Sequence, residues 1–470
     1  MIKKTYLKLR KISLDKLTIL LLSLVYIPIF WGFFSADDWF HLRLAKIGDV
    51  SEFLNFFSFS ATAQSASFYR PLSTQAFFFA FHSLFGLNAF FYYLFGLLLF
   101  VLILLQLKNL VLVLFPKISP ITALVVYGFS VTNFTRLYFL SAYQELFMVL
   151  FALLALNAHL RSQGKKTLLF FILALLSKET AVVIPGLILL IDLYQGKLKL
   201  SRYLPIFLLT AIYLYLRLFH FGLVKGDTYI WDFSPKMALN TLMWYTLWSF
   251  GAPELLVDYI GGGLRPIPRF YTDYPFFSYF ILFFLLVLLT SFAFLIFRSL
   301  KKNLRQYLFT GLLFFIPLLP VLFLPHHKFT LELGLPLVGF SLLFALVADS
   351  AKGKWGTLLL GLFLILNLSM NYLTYTRHYS VNRSRLSHRL YDYLTTQYPQ
   401  YPSDPLYFTD PENAGRFEDY AKQLSLATSR ADMFKVIYND PNLVVYFDGV
   451  NQPPEDQPVI KIKAQDFFTR

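Results

Sequence analysis

Long apolar runs alternate with short polar segments along most of this chain. The first run, residues 17–34, contains 18 residues without a charged side chain. As a helix it would be roughly 27 Å long, close to the thickness of a bilayer core. Similar runs recur, and we expect about eleven membrane spans, near residues 17–34, 89–107, 118–135, 142–160, 167–177, 181–195, 203–219, 275–297, 307–324, 331–348 and 356–374.

The charged residues between these runs predict how the chain crosses the membrane. The positive-inside bias places the basic N-terminus in the cytoplasm and, with eleven spans, places every strongly basic short loop on the same side. The basic residues concerned are Lys3, Lys4, Lys8, Arg10, Lys11, Lys16, Lys108, Lys117, Arg161, Lys165, Lys166, Lys197, Lys199, Arg202, Arg298, Lys301, Lys302, Arg305, Lys352 and Lys354. We therefore expect a multi-pass protein of the cell membrane.

The same alternation sends the longer polar segments to the outer face. These are two loops, residues 35–88 and 220–274, which belong to a transmembrane domain over residues 1–376, and a tail over residues 377–470. The tail changes in composition and predicts a small extracytoplasmic α+β domain. Its expected strands are Leu406–Phe408, Leu443–Phe447 and Val459–Ile462, and its expected helices are Glu412–Leu426 and Ser429–Tyr438. The predicted fold class is thus an all-α polytopic membrane protein with this small domain appended.

Composition supports the membrane assignment and excludes several kinds of chemistry. The 470 residues are 57% hydrophobic and 15% charged, whereas a soluble domain is about 25% charged. The net charge of +15 lies in short loops rather than along one helix face, so we expect no nucleic-acid partner. The chain has no cysteine, which removes disulfides, thiolate nucleophiles and cysteine-ligated metals.

Candidate chemistry begins where the first run ends. Asp37 and Asp38 follow it directly, with His41 one helical turn further on. Adjacent carboxylates can form a general base, and Asp38 is a candidate ligand for a divalent cation such as Mg²⁺ or Mn²⁺. The alternative is a solvated helix exit. Arg70, in the same outer loop, carries a planar fork suited to phosphate oxygens.

Three short motifs, all on the predicted outer face, resemble a known family. They are Asp37-Asp38 after the first span, Tyr69-Arg70-Pro71-Leu72-Ser73 before the second, and Leu176-Ser177-Lys178-Glu179-Thr180-Ala181 near the end of the fifth. Together they resemble the GT-C superfamily of integral-membrane glycosyltransferases, and within it the protein O-mannosyltransferase-like branch. The resemblance covers roughly residues 15–345. It implies a GT-C-like fold and an inverting transfer of a sugar from a polyprenyl-phosphate carrier to a hydroxyl of a lipid, glycan or protein.

The resemblance also implies roles for individual residues. Asp37 or Asp38 would be the catalytic base, with a slight preference for Asp37. Arg70 and Lys178 would neutralise the carrier phosphate as it leaves. Glu179 would orient Lys178 or bind a cation, and the alternative for these two neighbours is an ion pair that caps a short helix break.

Further candidates come from the outer loops alone. Lys328 follows two histidines, His326 and His327, and is a candidate phosphate contact. Arg265 and Arg269 lie in the second outer loop beside glycines and prolines, where they would form part of a lid over the carrier. The alternative is a solvated loop. Tyr69 and His41 complete the set of candidate substrate-binding residues.

Two other classes of function fit a basic, aromatic chain with many spans. One is a transporter or flippase for polyprenyl-linked lipids, which would place ionisable residues at mid-membrane in broken helices. The other is an inactive relative that acts as a membrane scaffold. An enzyme should lose activity on replacement of the acidic pair, whereas the other two should tolerate at least one replacement.

Overall fold

The computed structural model describes residues 14–60, 62, 68–199, 202–222, 226, 228–262, 265–351, 353–411 and 419–468. Parts of the sequence-based predictions lie outside these ranges. They are the topology residues Lys3, Lys4, Lys8, Arg10, Lys11 and Lys352, and the first part, residues 412–418, of the helix expected over Glu412–Leu426.

The described chain is mainly helical. In its first half the α-helices are α1 (Leu14–Val25), α2 (Asp37–Leu44), α3 (Val50–Asn55), α4 (Phe77–Phe85), α5 (Ala89–Leu114), α6 (Pro120–Phe129), α7 (Asn133–Tyr138), α8 (Tyr143–Leu160), α9 (Gly164–Leu175), α10 (Ile184–Gln195) and α11 (Leu204–Tyr215). In its second half they are α12 (Pro235–Phe250), α13 (Pro268–Asp273), α14 (Pro275–Phe315), α15 (Leu319–Leu322), α16 (Pro336–Ser350), α17 (Lys354–Arg377), α18 (Tyr379–Gln397), α19 (Tyr420–Ala427) and α20 (Asp432–Ile437).

Tighter and wider turns connect several of these helices. The 3-10 turns are Ile27–Trp31, Leu140–Ala142, Glu179–Val183, Glu254–Tyr259, Ile316–Leu318, Thr330–Leu333 and Ala464–Phe467, and the π-helical turns are Leu72–Ala76 and Leu216–His220.

Helix ends follow local sequence signals. Ser119 and Ser234 cap α6 and α12 ahead of a proline, and Gly251 ends α12 at a φ of 115°, a conformation that glycine adopts without a Cβ clash.

Within the described ranges, four helical segments are long and apolar enough to cross a membrane: Ala89–Leu114, Leu140–Leu160, Pro275–Leu322 and Lys354–Gln397. Shorter apolar helical segments are Lys16–Trp31, Pro120–Phe129, Leu204–His220 and Pro336–Ser350. The chain is therefore consistent with a helical membrane protein, and the count of eleven spans stays a prediction.

The long helix α14 does not run straight. The ring of Phe340, on α16, lies 6.3 Å from the Phe292 ring and 6.2 Å from the Phe314 ring, measured between centroids. The ring centroids of those two α14 residues are thus at most about 13 Å apart. An ideal straight helix would separate their backbones by roughly 33 Å, more than the reach of two phenylalanine side chains can bridge. The helix must fold back between them, near the basic residues 298–305, where a loop between two spans was predicted.

Helices α14 and α16 meet at a glycine. A Cβ on Gly339 would lie 2.2 Å from the backbone nitrogen of Phe314 and 2.4 Å from the carbonyl carbon of Leu313. We expect Gly339→Ala to lower the free energy of unfolding by about 1–3 kcal/mol, because one backbone must move away from the other. Thermal unfolding in detergent measures this. Gly361→Ala, where nothing lies within 4 Å, is the matched control, and equal stability of the two variants would contradict the prediction.

The tail contains a small parallel sheet of three strands, β1 (Leu406–Thr409), β2 (Tyr446–Phe447) and β3 (Ile460–Lys463), in the order β2-β1-β3. These strands overlap the three that were predicted. Their apolar faces pack against α19 and α20, for example through the rings of Phe408 and Phe434, whose centroids lie 5.9 Å apart. Helix α18, which precedes the sheet, was not predicted, because its many polar residues hide its apolar stripe.

Candidate functional site

A cavity of about 500 Å³ brings residues from all three sequence motifs together. Asp37, His41, Arg70 and Lys178 line it, as do residues that are distant in the chain. The additional polar lining residues are Thr74, Ser141, Gln144, Tyr229, His327, Glu332, Tyr379 and Ser429. We call this space the Asp37 cavity.

Asp37 is the first residue of α2, and the tail of the chain holds it in place. The backbone N–H of Ala36, the preceding residue, donates to the carbonyl of Ala427 at 2.7 Å. Ala36 itself has a φ of 48°, a strained conformation for a residue with a Cβ. Nearby, the indole N–H of Trp39 donates to Ser387 Oγ at 2.9 Å. The tail domain therefore helps to fix the backbone that presents Asp37.

The carboxylate of Asp37 is free to react. It accepts no hydrogen bond from any described residue, and it lines the cavity. Burial raises the pKa of Asp37, the positive charge of Arg383 opposes this rise, and the carboxylate of Asp432 adds to it. An unbonded carboxylate with a raised pKa has the properties of a general base.

Asp38 has a different environment. It is fully buried, and its Oδ1 accepts from the Ser141 backbone N–H at 2.7 Å and the Ser141 hydroxyl at 2.6 Å. Its Oδ2 accepts from the Ser35 N–H at 2.9 Å. Burial raises the pKa of Asp38 to about 7, although these hydrogen bonds favour the ionised form. The structure thus separates two aspartates that the sequence could not distinguish, and gives Asp38 the role of holding α2.

Replacing Asp38 should damage the fold around α2. In Asp38→Asn the amide nitrogen would face a backbone N–H of Ser35 or Ser141, and we expect a loss of about 1–3 kcal/mol for the unpaired buried donor. Thermal unfolding measures it. Ser141→Ala removes only the hydroxyl and should cost less. Wild-type stability of Asp38→Asn would show that its hydrogen bonds do not hold α2.

The residues around Asp38 do not fit a divalent cation. Its two oxygens already accept three hydrogen bonds, and it is absent from the cavity lining. Within the described ranges, no group of three His, Asp or Glu side chains is placed to hold a metal ion. No step proposed below uses a metal.

Arg70 is held by Glu179 and Gln144. Its Nε donates to Glu179 Oε2 at 2.7 Å, and its Nη2 donates to the other oxygen of the same carboxylate. Its Nη1 donates to Gln144 Oε1. This bidentate pair fixes the plane of the guanidinium. Glu179 therefore orients Arg70, and not Lys178 as the sequence suggested.

Lys178 is paired elsewhere. Its ammonium lies 3.0 Å from Glu145 Oε2 and 2.8 Å from Glu332 Oε2, and the side chain is 2% exposed. The alternative interpretation, in which Lys178 and Glu179 pair with each other, is therefore wrong. Lys178 has an extended backbone, with φ −160° and ψ 140°, so its side chain and that of the next residue point in opposite directions.

Two hydrogen bonds to backbone carbonyls join the second and third motifs. The N–H of Leu72 donates to the carbonyl of Leu176 at 3.1 Å, and the hydroxyl of Ser73 donates to the carbonyl of Ser177 at 2.6 Å. Both donor residues belong to the π-helical turn Leu72–Ala76. Such turns are frequent at functional sites. Arg70 and Lys178 are therefore presented to the cavity by one connected unit.

His41 lies in the cavity as a neutral side chain. Burial lowers the pKa of its imidazole to about 3, with a further contribution from the charge of Arg70. At neutral pH it is a hydrogen-bonding group and not a cation, so its predicted contact with phosphate would be to a neutral ring.

Other predicted residues lie away from the cavity. Tyr69 donates to the carbonyl of Phe57 at 3.0 Å, Lys328 donates to Asn240 Oδ1 at 2.9 Å, and Arg269 pairs with Asp273 at 3.0 Å on the surface. Arg265 is exposed. Their roles as substrate contacts or lid residues stay predictions, and His327 lines the cavity in place of Lys328.

An apolar groove of about 200 Å³ adjoins the Asp37 cavity. The two spaces share Phe68, Arg70, Tyr229, His327 and Glu332. The remaining wall of the groove is mainly apolar, with Glu179, Thr180 and Arg217 as its polar residues; the apolar part comes from Val182, Tyr213, Leu214, Leu218, Trp231, Pro320, Val321 and Leu324. A molecule with a charged head and an apolar chain could place one part in each space.

Sequence reasoning missed Glu145, which binds Lys178 from within the predicted fourth span. An ionisable residue inside an apolar run is itself a signal of function, and would have identified it. Ser141 and Arg383 carried no comparable signal, because a single serine at the start of an apolar run is common and Arg383 is one of several arginines in a polar stretch.

The ionisable groups at the Arg70 end of the cavity nearly balance. When all are ionised, the cations Arg70 and Lys178 face the carboxylates of Glu145, Glu179 and Glu332. The cations are held rigidly but are not in excess, so they can orient a phosphate group more readily than they can attract one from a distance.

Comparison with known proteins found no matching family model, no matching curated protein and no matching solved structure.

Proposed function

We propose that this protein is a GT-C-type inverting glycosyltransferase, which moves a sugar from a polyprenyl-phosphate carrier to a hydroxyl of a lipid, glycan or protein acceptor. The observation that carries the proposal is the arrangement of the Asp37 cavity. An unbonded carboxylate lies in the same cavity as a fixed guanidinium and a buried ammonium. This combination provides a base for the acceptor and cations for a phosphate leaving group.

The proposed reaction is a single displacement. Asp37 takes the proton of the acceptor hydroxyl as its oxygen attacks the anomeric carbon of the sugar. The bond from that carbon to the phosphate oxygen breaks, and its electron pair stays with polyprenyl phosphate. Arg70 and Lys178 stabilise the charge that develops on this phosphate. Attack opposite to the leaving group inverts the anomeric configuration.

The apolar groove supports a lipid-linked donor over a soluble nucleotide sugar. It shares Arg70 with the cavity, so a phosphate at that residue would lie at the junction of the two spaces. The carrier chain would then follow the groove beside α11, and the sugar would extend toward Asp37.

The proposed location is the outer face of the cell membrane. The basic short loops support a cytoplasmic N-terminus and the eleven-span topology. In that topology, Asp37, Arg70 and the tail domain all face outward, where lipid-linked sugars are used.

A transporter for polyprenyl-linked lipids is the second candidate, and one observation favours it. Glu145, in a helix long and apolar enough to cross a membrane, forms a buried ion pair with Lys178. Buried ionisable residues of this kind also mark transport pathways. A transporter would release no free polyprenyl phosphate.

The test is acceptor-dependent release of polyprenyl phosphate from a labelled polyprenyl-phosphate sugar by the purified protein. We expect release to require both an acceptor and intact Asp37. The proposal fails if the protein binds the donor yet releases no polyprenyl phosphate with lipid, glycan or peptide acceptors, with or without divalent cations.

The rate of transfer should depend on pH through Asp37. The carboxylate accepts a proton only when ionised, so the rate falls as pH decreases through its pKa. Burial raises this pKa, and the acidic limb should therefore lie above the ordinary value of about 3.9. Arg383→Gln removes a charge that lowers the pKa and should move the limb to higher pH.

The measurement is kcat/KM against pH for the wild type, Arg383→Gln and a control, Lys461→Gln, at an exposed lysine of β3. The control should follow the wild type. An acidic limb at the same pH in all three proteins would contradict the assignment of Asp37 as the titrating base.

A further inference from the structure

A second cavity, of about 400 Å³, lies beside the first. Four arginines line it, all from the end of α17 or from α18: Arg377, Arg383, Arg385 and Arg389. We call it the arginine cavity. None of its described lining residues is acidic. Four guanidinium groups around one space, without a carboxylate among them, repel each other unless an anion lies between them.

The arginines differ in how far protein groups satisfy them. Arg389 donates to the carbonyl of Phe467 at 2.8 Å. Arg377, Arg383 and Arg385 form no salt bridge within the part of the chain that the structure describes. The guanidinium of Arg383 lies 5.1 Å from the centre of the Tyr379 ring, and that of Arg385 lies 5.2 Å from the centre of the Tyr375 ring. The Nε of Arg383 is buried and has no hydrogen-bond partner among the described residues. A buried, unpaired donor of a charged group is costly, and a ligand oxygen would satisfy it.

The shape and the remaining wall indicate the size of this ligand. The cavity is several times larger than a single phosphate ion, and Tyr379, Phe467 and Phe468 form its uncharged side. Guanidinium forks bind phosphate oxygens in pairs, and aromatic rings pack against the group that carries the phosphate. We propose that the arginine cavity binds a phosphate ester, separately from the donor phosphate assigned to Arg70 and Lys178.

The position of this site relates it to the reaction without depending on it. Tyr379 lines both cavities, and the charge of Arg383 acts on Asp37 without a direct salt bridge. A phosphate ester bound here would therefore lie next to the Asp37 cavity, on the side formed by Tyr379. Two sources present the same chemistry: the headgroup of an anionic lipid at the end of α17, and a soluble phosphate ester.

The test measures binding to the full chain in nanodiscs, without sugar donor or acceptor, so that it is independent of transferase activity. The first probe is glycerol 3-phosphate, titrated by calorimetry into discs of phosphatidylcholine. The second probe is phosphatidylglycerol. Native mass spectrometry of the protein released from the discs counts the lipid molecules that stay bound. We compare the wild type with Arg383→Gln/Arg385→Gln, and the matched control is Lys461→Gln/Lys463→Gln, which removes the same charge from exposed positions of β3.

We expect the arginine double variant to bind its probe at least about tenfold more weakly, and the lysine control to bind as the wild type does. Loss for both probes assigns the site to phosphate esters in general, and loss for phosphatidylglycerol alone assigns it to a lipid headgroup. The proposal is overturned if neither probe binds, or if the two double variants behave alike. If the arginine double variant does not fold, Arg377→Gln, at an exposed position, provides the same comparison with a smaller expected loss.

Discussion

Asp37→Asn should abolish sugar transfer while the protein keeps its fold. The amide cannot accept the acceptor proton, and loss of a positioned base lowers kcat by about 10²- to 10⁴-fold. The side chain accepts no hydrogen bond from the described residues, so the isosteric change breaks no contact of the folded chain. The measurement is release of labelled polyprenyl phosphate, beside thermal unfolding of the same preparation.

The matched control for this variant is Asp392→Asn. Asp392 lies on α18 with its side chain 65% exposed, and its replacement should leave transfer unchanged. Transfer by Asp37→Asn at the wild-type rate would remove Asp37 from the mechanism. Equal loss in both variants would show that the assay reports general damage and not a missing base.

Lys178→Met should have the largest effect on stability. The ammonium lies between the carboxylates of Glu145 and Glu332, in a site where all three side chains are less than a tenth exposed. Methionine leaves two buried carboxylates without a counter-charge, and we expect the free energy of unfolding to fall by about 3–5 kcal/mol. Thermal unfolding in detergent at pH 8 measures this.

A second replacement distinguishes this explanation from lost packing. In the Lys178→Met background, Glu332→Gln removes one of the two uncompensated charges and should recover part of the stability at pH 8. No recovery in the double variant would attribute the loss to packing. Lys461→Met, at an exposed site, should be neutral.

Much of the architecture was predictable from local pattern. The apolar runs predict the long helices, and the alternation near residues 406–408 and 459–462 predicts two strands of the small sheet. These features depend on residues that are close in the chain. The fold-back of α14 agrees with the loop that the basic residues between two apolar runs predicted.

The candidate site was predictable only in part, because side-chain pairing depends on distant residues. The motifs placed Asp37, Arg70 and Lys178 in one cavity, as the structure does. They could not show that Asp38 points away from it, since that depends on Ser141. The motifs also could not predict that Glu179 pairs with Arg70. Lys178 pairs instead with Glu145 and Glu332, and both of these lie far from it in sequence.

The hydrogen bonds that fix the Asp37 segment have a consequence for biosynthesis. Phe33 and its partner Ser384 are 351 positions apart, and Ala36 is held by the carbonyl of Ala427. A chain made from its N-terminus exposes the aspartate long before these partners emerge from the ribosome. A nascent or C-terminally truncated chain therefore carries the Asp37 carboxylate without the contacts that fix its backbone, and the proposed transferase would gain its base only after Ser384 and Ala427 have joined the fold.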